Sequence, residues 1–401
     1  MLGRWALRRL WRSPPQAIGK QETIRSLHRF RGSRQCMQNS PRHRGQGLPG
    51  VRPLFTESIP SILVPPAIFV GLLLTLWTWK CFWIVVLQDK LLYLSWLPPL
   101  SRSESIADYA GEFRGVQWAE KSMRSLDGTK LVLSEGRFAT KPRSPGPKKS
   151  VVICYFQGNG GSTPLRLPLL SQVMRAIQET ASPFDNVEYI VVALSYRGYW
   201  KSSGRATQRG IELDAQAFLK WVSETYNNPD TDLKLVLWGH SLGAAVASTA
   251  TVTQLSRMPT ATTHAGTTQE RSLPIAGLIL EAPISSIKDM LISLYPQRWL
   301  PYRYLWPFSW NNWDVSAALE QIAGYKARGI SNPVPPIFLM SAENDEVIPL
   351  WVADQLEEKA KVLELDIERK NVKGAMHIEG PLKVDGRKSL VDFILKVSAC
   401  K

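Results

Sequence analysis

The pentapeptide at residues 239–243, GHSLG, matches the pattern G-x-S-x-G, in which a serine occupies a sharp turn between a strand and a helix. An apolar run at 233–238 leads directly into this pentapeptide, and small apolar residues follow it. Gly239 and Gly243 are needed because side chains at these positions would collide with neighbouring backbone in so strained a turn. We therefore predict that Ser241 is a catalytic nucleophile.

A serine hydroxyl requires a base within hydrogen-bond reach, and an acid that holds this base in the correct tautomer. His377 is the one histidine that follows the last predicted strands, where the chain order serine, acid, histidine puts the base. The flexible Gly374 lets its loop reach back over the sheet. His240 is predicted to point elsewhere, so His377 is the candidate base, and an ordinary surface histidine is the alternative. The remaining histidines lie in the leader or in a variable loop and are His28, His43 and His264.

Asp345 is the predicted acid, because it follows an apolar strand whose end should lie beside the serine. Glu343 and Glu346 compete with it in the same loop, and Asp289 and Asp314 are more distant candidates. The alternative role for each of these carboxylates is the capping of a helix.

Two backbone N–H groups must face the oxyanion of a tetrahedral intermediate. We predict that one belongs to Leu242, directly after the serine, and the other to Asn159 in the glycine-rich loop 156–162. This loop lacks the Lys-Ser/Thr pair of a phosphate-binding loop. No cysteine pair or His/Cys/Asp cluster has the spacing of a disulfide framework or a metal site, so we expect no metal.

Charge is concentrated at the N-terminus, where residues 1–56 hold twelve basic residues and one acid, while the whole chain has a net charge of +15. Because these charges lie in a leader rather than on a folded face, we do not expect nucleic-acid binding. Residues 1–58 are predicted to be a basic leader and linker. Their Arg-rich, amphipathic start is typical of a mitochondrial presequence, and the alternative is a basic tail on a signal anchor.

Residues 59–88 are predicted to form one transmembrane anchor, because nineteen residues from Ser61 to Trp79 carry no charge and the apolar run resumes after Lys80. The basic flank predicts that the leader stays in the cytosol or matrix. Since no acceptable N-glycosylation sequon follows the span, a mitochondrial membrane is slightly favoured over the endoplasmic reticulum.

Residues 110–401 are predicted to form one α/β domain, with an eight-stranded, mostly parallel sheet and crossover helices. The insertion at about 284–328 is rich in Trp and Tyr and predicts a small cap over a pocket. The alternative is that its rings only plug the rim of the core. The strands are expected near 116–123, 130–134, 150–156, 189–195, 233–238, 276–281, 336–341 and 364–370, and the helices near 165–180, 208–226, 242–255, 350–361 and 388–398.

With these residues placed, the chain resembles the α/β-hydrolase superfamily and, within it, the Bem-like membrane-anchored α/β-hydrolase-domain-containing proteins. The similarity runs over about 88–398 and rests on QDKLLY at 88–93, SYRGY at 195–199, EAP at 281–283, the serine pentapeptide, DEVIP at 345–349 and His377. The resemblance implies hydrolysis of an ester, thioester or amide through an acyl-enzyme, without a cofactor. Gln157 departs from the family's usual histidine, which could alter loop rigidity and acyl specificity.

Membrane anchoring favours a lipid or lipid-modified substrate for such an enzyme. A serine peptidase with the same three residues is one alternative function. A membrane-tethered interaction protein that has lost turnover is another, although the presence of all three residues in order argues against it.

Overall fold

The computed structural model describes residues 60–138, 148–182, 186–228, 231–258, 274–328 and 334–399. The predicted presequence and linker lie outside these residues. The chain divides into two compact units, Met1–Thr75 and Leu76–Lys401, and the boundary falls inside the long helix α1. The helices are α1 (Val64–Val86), α2 (Gln88–Leu92), α3 (Leu167–Thr180), α4 (Gln208–Tyr226), α5 (Leu242–Ser256), α6 (Ile287–Leu294), α7 (Val315–Ala327), α8 (Leu350–Val362) and α9 (Val384–Ala399).

The described part of the first unit is an apolar helical segment with mostly exposed side chains. Together with the turn before it, α1 forms one helix, Ser61–Val86, that is long and apolar enough to cross a membrane. Lys80 is the one charged residue of α1. The helix therefore lacks the polar face that a helix on a protein surface needs.

The second unit is built on an eight-stranded sheet with the order β1-β2-β4-β3-β5-β6-β7-β8. Strand β2 runs opposite to the other seven strands of this sheet. This confirms the predicted fold class. The strands are β1 (Val116–Arg124), β2 (Lys130–Phe138), β3 (Lys148–Phe156), β4 (Val187–Ser195), β5 (Thr231–His240), β6 (Ile275–Glu281), β7 (Ile337–Ala342) and β8 (Ile367–Val372).

The sequence of β3 from Val151 onward is continuously apolar and does not alternate with polar residues. Successive side chains of a strand point to opposite faces of the sheet, and both faces are covered here. Val152, Cys154 and Phe156 pack into the core under α4, α5, α7 and α8, while Ile153 and Tyr155 pack into the core under α3 and α9. Each position from Val151 to Phe156 is therefore apolar.

The crossovers place the ends of β3 and β5 side by side, with Phe156 paired to Gly239. The chain leaves β3 through α3 on one face of the sheet and returns to β5 through α4 on the other face. Ligands of open α/β sheets bind at such a switch point, outside the carboxyl ends of the strands. The loop 156–162 and the serine turn meet at this position.

The predicted cap range, 284–328, contains two different structures. Its first part consists of α6 and short 3₁₀ turns at Pro301–Tyr304 and Trp306–Phe308. Its last part is α7, whose Val315, Leu319 and Ile322 are buried in the core beside α5. The cap surface is therefore formed by residues 287–313.

Candidate functional site

Ser241 lies at the turn between β5 and α5 with φ 54° and ψ −117°, a backbone conformation that residues other than glycine rarely adopt. Its N–H donates to the carbonyl oxygen of Glu281 at 2.8 Å, which ties the turn to the end of β6. The side chain is 6% exposed. The serine therefore lies on rigid backbone at the carboxyl edge of the sheet.

The two glycines of the turn allow a very close backbone approach. A Cβ on Gly243 would lie 2.1 Å from the carbonyl oxygen of Phe156, and one on Gly239 would lie 2.2 Å from the carbonyl oxygen of Gly243. Both distances are far below any ordinary contact, so only glycine fits at these positions. The predicted requirement for glycine thus has two specific causes: the start of α5 lies against the carbonyl groups at the end of β3, and the turn folds back onto Gly239.

His377 and Asp345 form the central contact of the site. His377 Nδ1 donates to Asp345 Oδ2 at 2.8 Å and to Oδ1 at 3.0 Å, and both side chains are more than nine-tenths buried. Because the carboxylate can only accept, Nδ1 carries the proton and Nε2 keeps its lone pair. Asp345 Oδ1 also accepts from the backbone N–H groups of Val347 and Ile348, which fix the carboxylate in turn.

The competing acids of the same loop contact only the backbone of the histidine loop. Glu343 accepts from the N–H of Gly374 at 2.8 Å, and Glu346 accepts from the N–H of His377 at 3.1 Å. Of the more distant candidates, Asp314 caps the N-terminus of α7, while Asp289 lies in the first turn of α6 and accepts from the hydroxyl groups of Ser285 and Ser286. Among the five acids considered from the sequence, Asp345 is the one whose carboxylate reaches the imidazole.

Ser241 and His377 lie at the same edge of the sheet without a direct hydrogen bond between them. The rings of His377 and of His240, which precedes the serine, have centroids 5.0 Å apart. Within the described ranges the Ser241 hydroxyl has no hydrogen-bond partner. The structure thus joins the acid to the histidine, and the serine follows directly after the histidine, His240, that contacts the His377 loop.

The loop 156–162 is held by its carbonyl groups. The carbonyl oxygen of Asn159 accepts from the N–H of Leu94 at 2.8 Å and from the Tyr199 hydroxyl at 2.9 Å, and that of Gln157 accepts from the Tyr196 hydroxyl at 2.9 Å. Among the described residues, the backbone N–H groups of Asn159 and Leu242 have no acceptor. Both remain available as donors.

The Gln157 side chain is buried beneath this loop. Its carbonyl oxygen accepts from the Thr163 hydroxyl at 3.1 Å, and its amide nitrogen has no partner in the described part of the chain. The departure from the family's histidine therefore changes a buried contact below the loop and leaves the backbone donors in place.

A buried ion pair supports the tyrosines that hold the loop. The guanidinium of Arg197 contacts both oxygens of Asp214, which is fully buried, and a second carboxylate, that of Asp127. Asp214 also accepts from the Arg197 N–H at 3.0 Å. Residues 195–199 entered the sequence argument only as part of a resemblance, because no local pattern reveals partners this far along the chain.

His240 was expected to point away from the site, and the structure gives it a structural contact there. Its Nδ1 accepts from Arg166 at 3.3 Å, and its Nε2 donates to the carbonyl oxygen of His377 at 3.3 Å. Burial, with Arg166 and His377 nearby, holds the pKa of His240 well below its usual value. The neutral ring therefore links the serine turn to the histidine loop.

Glu281 lies fully buried at the end of β6. Trp238 Nε1 donates to its Oε2 at 2.8 Å, while its Oε1 has no hydrogen-bond partner among the described residues and lies 4.0 Å from His240 Nε2. Burial raises the pKa of Glu281 to about 7, against the opposing effects of Arg166 and the Trp238 bond.

Within the described ranges, no group of three His, Cys, Asp or Glu side chains could hold a metal ion.

The fold and the serine turn define a hydrolase of the α/β class, and the sequence comparison agrees. Residues 172–382 match the sequence profile of the alpha/beta hydrolase family, and the chain belongs to that family. Protein bem46 of Schizosaccharomyces pombe is 25% identical over 264 residues, covering 65% of this chain and 71% of the relative. The expected resemblance is thereby confirmed, and the chain is a hydrolase.

A second relative is lysophosphatidylserine lipase ABHD12 of Danio rerio, which is 30% identical over 207 residues. The match covers 51% of this chain and 46% of the relative, so the chain spans about half the length of that protein. Among solved structures, an alpha-beta hydrolase from Vibrio vulnificus matches with a TM-score of 0.52 and 14% identity, covering 77% of this chain and 92% of that one. The structural match supports the fold.

We predict that Gly243→Ala destabilises the protein by about 3 kcal/mol or more, because the new methyl group overlaps the carbonyl of Phe156. Gly324→Ala is the matched control, since nothing lies within 4 Å of its Cβ position in α7. It should gain about 0.5–1 kcal/mol from helix propensity. Urea unfolding of the full chain in detergent measures both, and a Gly243→Ala protein as stable as the wild type would contradict the close approach.

We also predict a pH dependence of stability due to Glu281. The unfolded chain ionises this acid above about pH 4.5, while the folded chain keeps it protonated until about pH 7. Folding stability is therefore lost as the pH rises from about 4.5 through 7. The variant Glu281→Gln removes this loss and keeps an acceptor for Trp238. The free energy of unfolding of the variant minus that of the wild type should therefore increase by about 2–3 kcal/mol from about pH 5 to pH 8. Urea unfolding at the two pH values checks this, and parallel changes in both proteins would refute it.

Proposed function

We propose that the chain is a membrane-anchored serine hydrolase that cleaves an acyl ester, thioester or amide through an acyl-enzyme on Ser241. One observation carries this proposal: the buried hydrogen bond of 2.8 Å between His377 Nδ1 and Asp345 lies at the sheet edge that holds Ser241 in its strained turn. A histidine so oriented presents Nε2 as a base, which a serine hydroxyl needs.

In the proposed mechanism, Ser241 Oγ attacks the acyl carbonyl carbon and its proton passes to His377 Nε2. Asp345 stabilises the imidazolium, and the N–H groups of Leu242 and Asn159 donate to the oxyanion. The imidazolium then protonates the leaving group, and water attacks the acyl-enzyme with His377 again as base. The hydrogen bond between serine and histidine has to close when substrate binds, as it often does in hydrolases.

A lipid-like acyl ester is the substrate class that we propose. Three observations support it: the apolar helix α1, the exposed aromatic rings of the cap, and the name of the relative from Danio rerio, a lysophosphatidylserine lipase. An enzyme anchored at a bilayer encounters such esters at high local concentration. Amide substrates would use the same three residues, and comparing turnover of acyl esters with that of aminoacyl amides separates the two activities.

We further propose that α1 spans a mitochondrial membrane, because the Arg-rich leader is typical of a presequence. The full-length chain with a C-terminal tag should then co-fractionate with mitochondria and resist extraction by alkaline carbonate. Recovery in the endoplasmic reticulum would contradict the compartment, and release by carbonate would contradict the span.

We predict that a fluorophosphonate probe labels the wild type in membranes and fails to label Ser241→Ala or His377→Ala. Asp345→Asn should label about 10⁴-fold more slowly, because the imidazole loses the carboxylate that fixes its tautomer. Ser256→Ala is the control, since this exposed serine ends α5 away from the turn. Labelling that persists in Ser241→Ala, or a folded wild type that does not react, would overturn the proposed mechanism.

A further inference from the structure

The cap contains a recess of about 300 Å³ that the proposed catalytic mechanism does not use. Neither the serine turn nor the histidine loop contributes to its walls. Cationic and aromatic side chains dominate the lining, which consists of Lys288, Ile292, Arg298, Arg303, Tyr304 and Trp306.

The three cations of this recess lack an acidic partner within the part of the chain that the structure describes. No carboxylate among the described residues forms an ion pair with Lys288, Arg298 or Arg303. Asp289, the one acid within 287–313, instead accepts from the hydroxyl groups of two serines at the start of α6. The recess thus carries uncompensated positive charge, which suits an anionic ligand.

Two of the cations are already oriented by neighbouring groups. Lys288 Nζ lies 4.9 Å from the centroid of the Trp306 ring, and Arg303 Nη1 donates to the carbonyl oxygens of Tyr295 and Pro296. Arg303 therefore also stabilises the end of α6, whereas Lys288 and Arg298 are exposed and make no such contact with backbone. These two are the cations that can be changed without disturbing the cap.

Exposed aromatic rings also lie in the same segment, 287–313, as the residues that line the recess. The side chains of Trp299, Phe308 and Trp310 are 67%, 64% and 54% exposed, although large rings of this kind are usually buried. Trp and Tyr are enriched where a protein meets the headgroup layer of a membrane, because one part of the ring is apolar and another can form hydrogen bonds.

This surface is continuous with the second half of α1. The ring of Trp299 lies 5.9 Å from that of Trp77, and Lys80 Nζ lies 4.3 Å above the ring of Tyr302. The segment after α1 is also tied to the cap, since Gln88 Oε1 accepts from the N–H of Trp310 at 2.9 Å. The recess therefore lies beside the end of the proposed span.

We infer that the cap docks on the bilayer that holds α1, with the phosphate of an anionic phospholipid headgroup in the recess and the exposed rings at headgroup depth. The phosphodiester oxygens accept from Lys288, Arg298 and Arg303, while the rings of Trp299 and Phe308 contact the acyl boundary. This inference rests on the membrane-anchoring part of the proposed function and is independent of the chemistry at Ser241.

Hydrogen–deuterium exchange of the full chain in lipid nanodiscs tests the docking. Backbone N–H groups within 287–313 should exchange several-fold more slowly in nanodiscs containing phosphatidylglycerol than in nanodiscs of phosphatidylcholine alone. The double variant Lys288→Gln, Arg298→Gln should lose this protection, by about fivefold for each cation removed. The matched control is Lys121→Gln, Arg175→Gln, which removes the same charge from exposed positions on β1 and α3 and should keep the protection.

Equal exchange in both kinds of nanodisc, or equal loss of protection in both double variants, would overturn the inference. Inorganic phosphate added to phosphatidylcholine nanodiscs separates the two sources of the anion, and full protection by phosphate alone would contradict bilayer docking. The anchor and the catalytic mechanism of the proposed function are tested by separate measurements on the same samples. Absence of the chain from the nanodisc fraction refutes the anchor, and absence of fluorophosphonate labelling refutes the mechanism. The control variant Lys121→Gln, Arg175→Gln should label as the wild type does.

Discussion

The backbone of Gly243 lies so close to the carbonyl of Phe156 that no side chain fits between them, and this approach sets the geometry of the whole sheet edge. It places the start of α5 against the end of β3, which already pairs with β5, so the serine turn and the loop after β3 lie next to each other. The strained φ of Ser241 is the conformational cost of leaving β5 abruptly enough to begin α5. The surrounding contacts, including the Glu281 carbonyl, hold the chain in this conformation.

Buried polar groups behind the turn convert this backbone geometry into a fixed arrangement of side chains. The neutral ring of His240 bonds to the carbonyl of His377, while the acids on either side of Asp345 bond to N–H groups of the histidine loop. Buried polar atoms are costly unless they are paired, so a partly satisfied network is retained only where the surrounding structure fixes it. Glu281 Oε1 is such a position, since it has no hydrogen-bond partner among the described residues, and burial raises the pKa of this carboxyl to about 7, so the carboxyl stays protonated below that pH.

The central strands were predictable to within two or three residues because their continuous apolar runs reflect burial on both faces of the sheet. The last strand was expected at 364–370 and is found at Ile367–Val372, since its half-exposed, charged sequence marks no clear boundary. Asp345 was predicted from its place after β7, but only the contacts of the loop separate it from Glu343 and Glu346, because the sequence does not show which carboxylate faces the imidazole. The roles of Tyr196 and Tyr199 were not predicted from the sequence. Their hydroxyl groups donate to the carbonyl oxygens of Gln157 and Asn159, which lie 39 and 40 positions earlier in the chain, and no local pattern indicates such distant partners.

The aromatic density of residues 287–313 has two physical origins that composition alone cannot separate. Trp313 is buried and its indole N–H donates to the Tyr93 hydroxyl at 2.9 Å, so this ring does plug the rim of the core. Trp299 and Phe308 are instead more than half exposed. A monomeric soluble domain gains nothing from such exposure, since each ring forfeits the free energy of burial. The exposed rings are therefore best explained by contact with a membrane surface. The apolar helix α1, whose Trp77 contacts Trp299, would hold the rings at that surface.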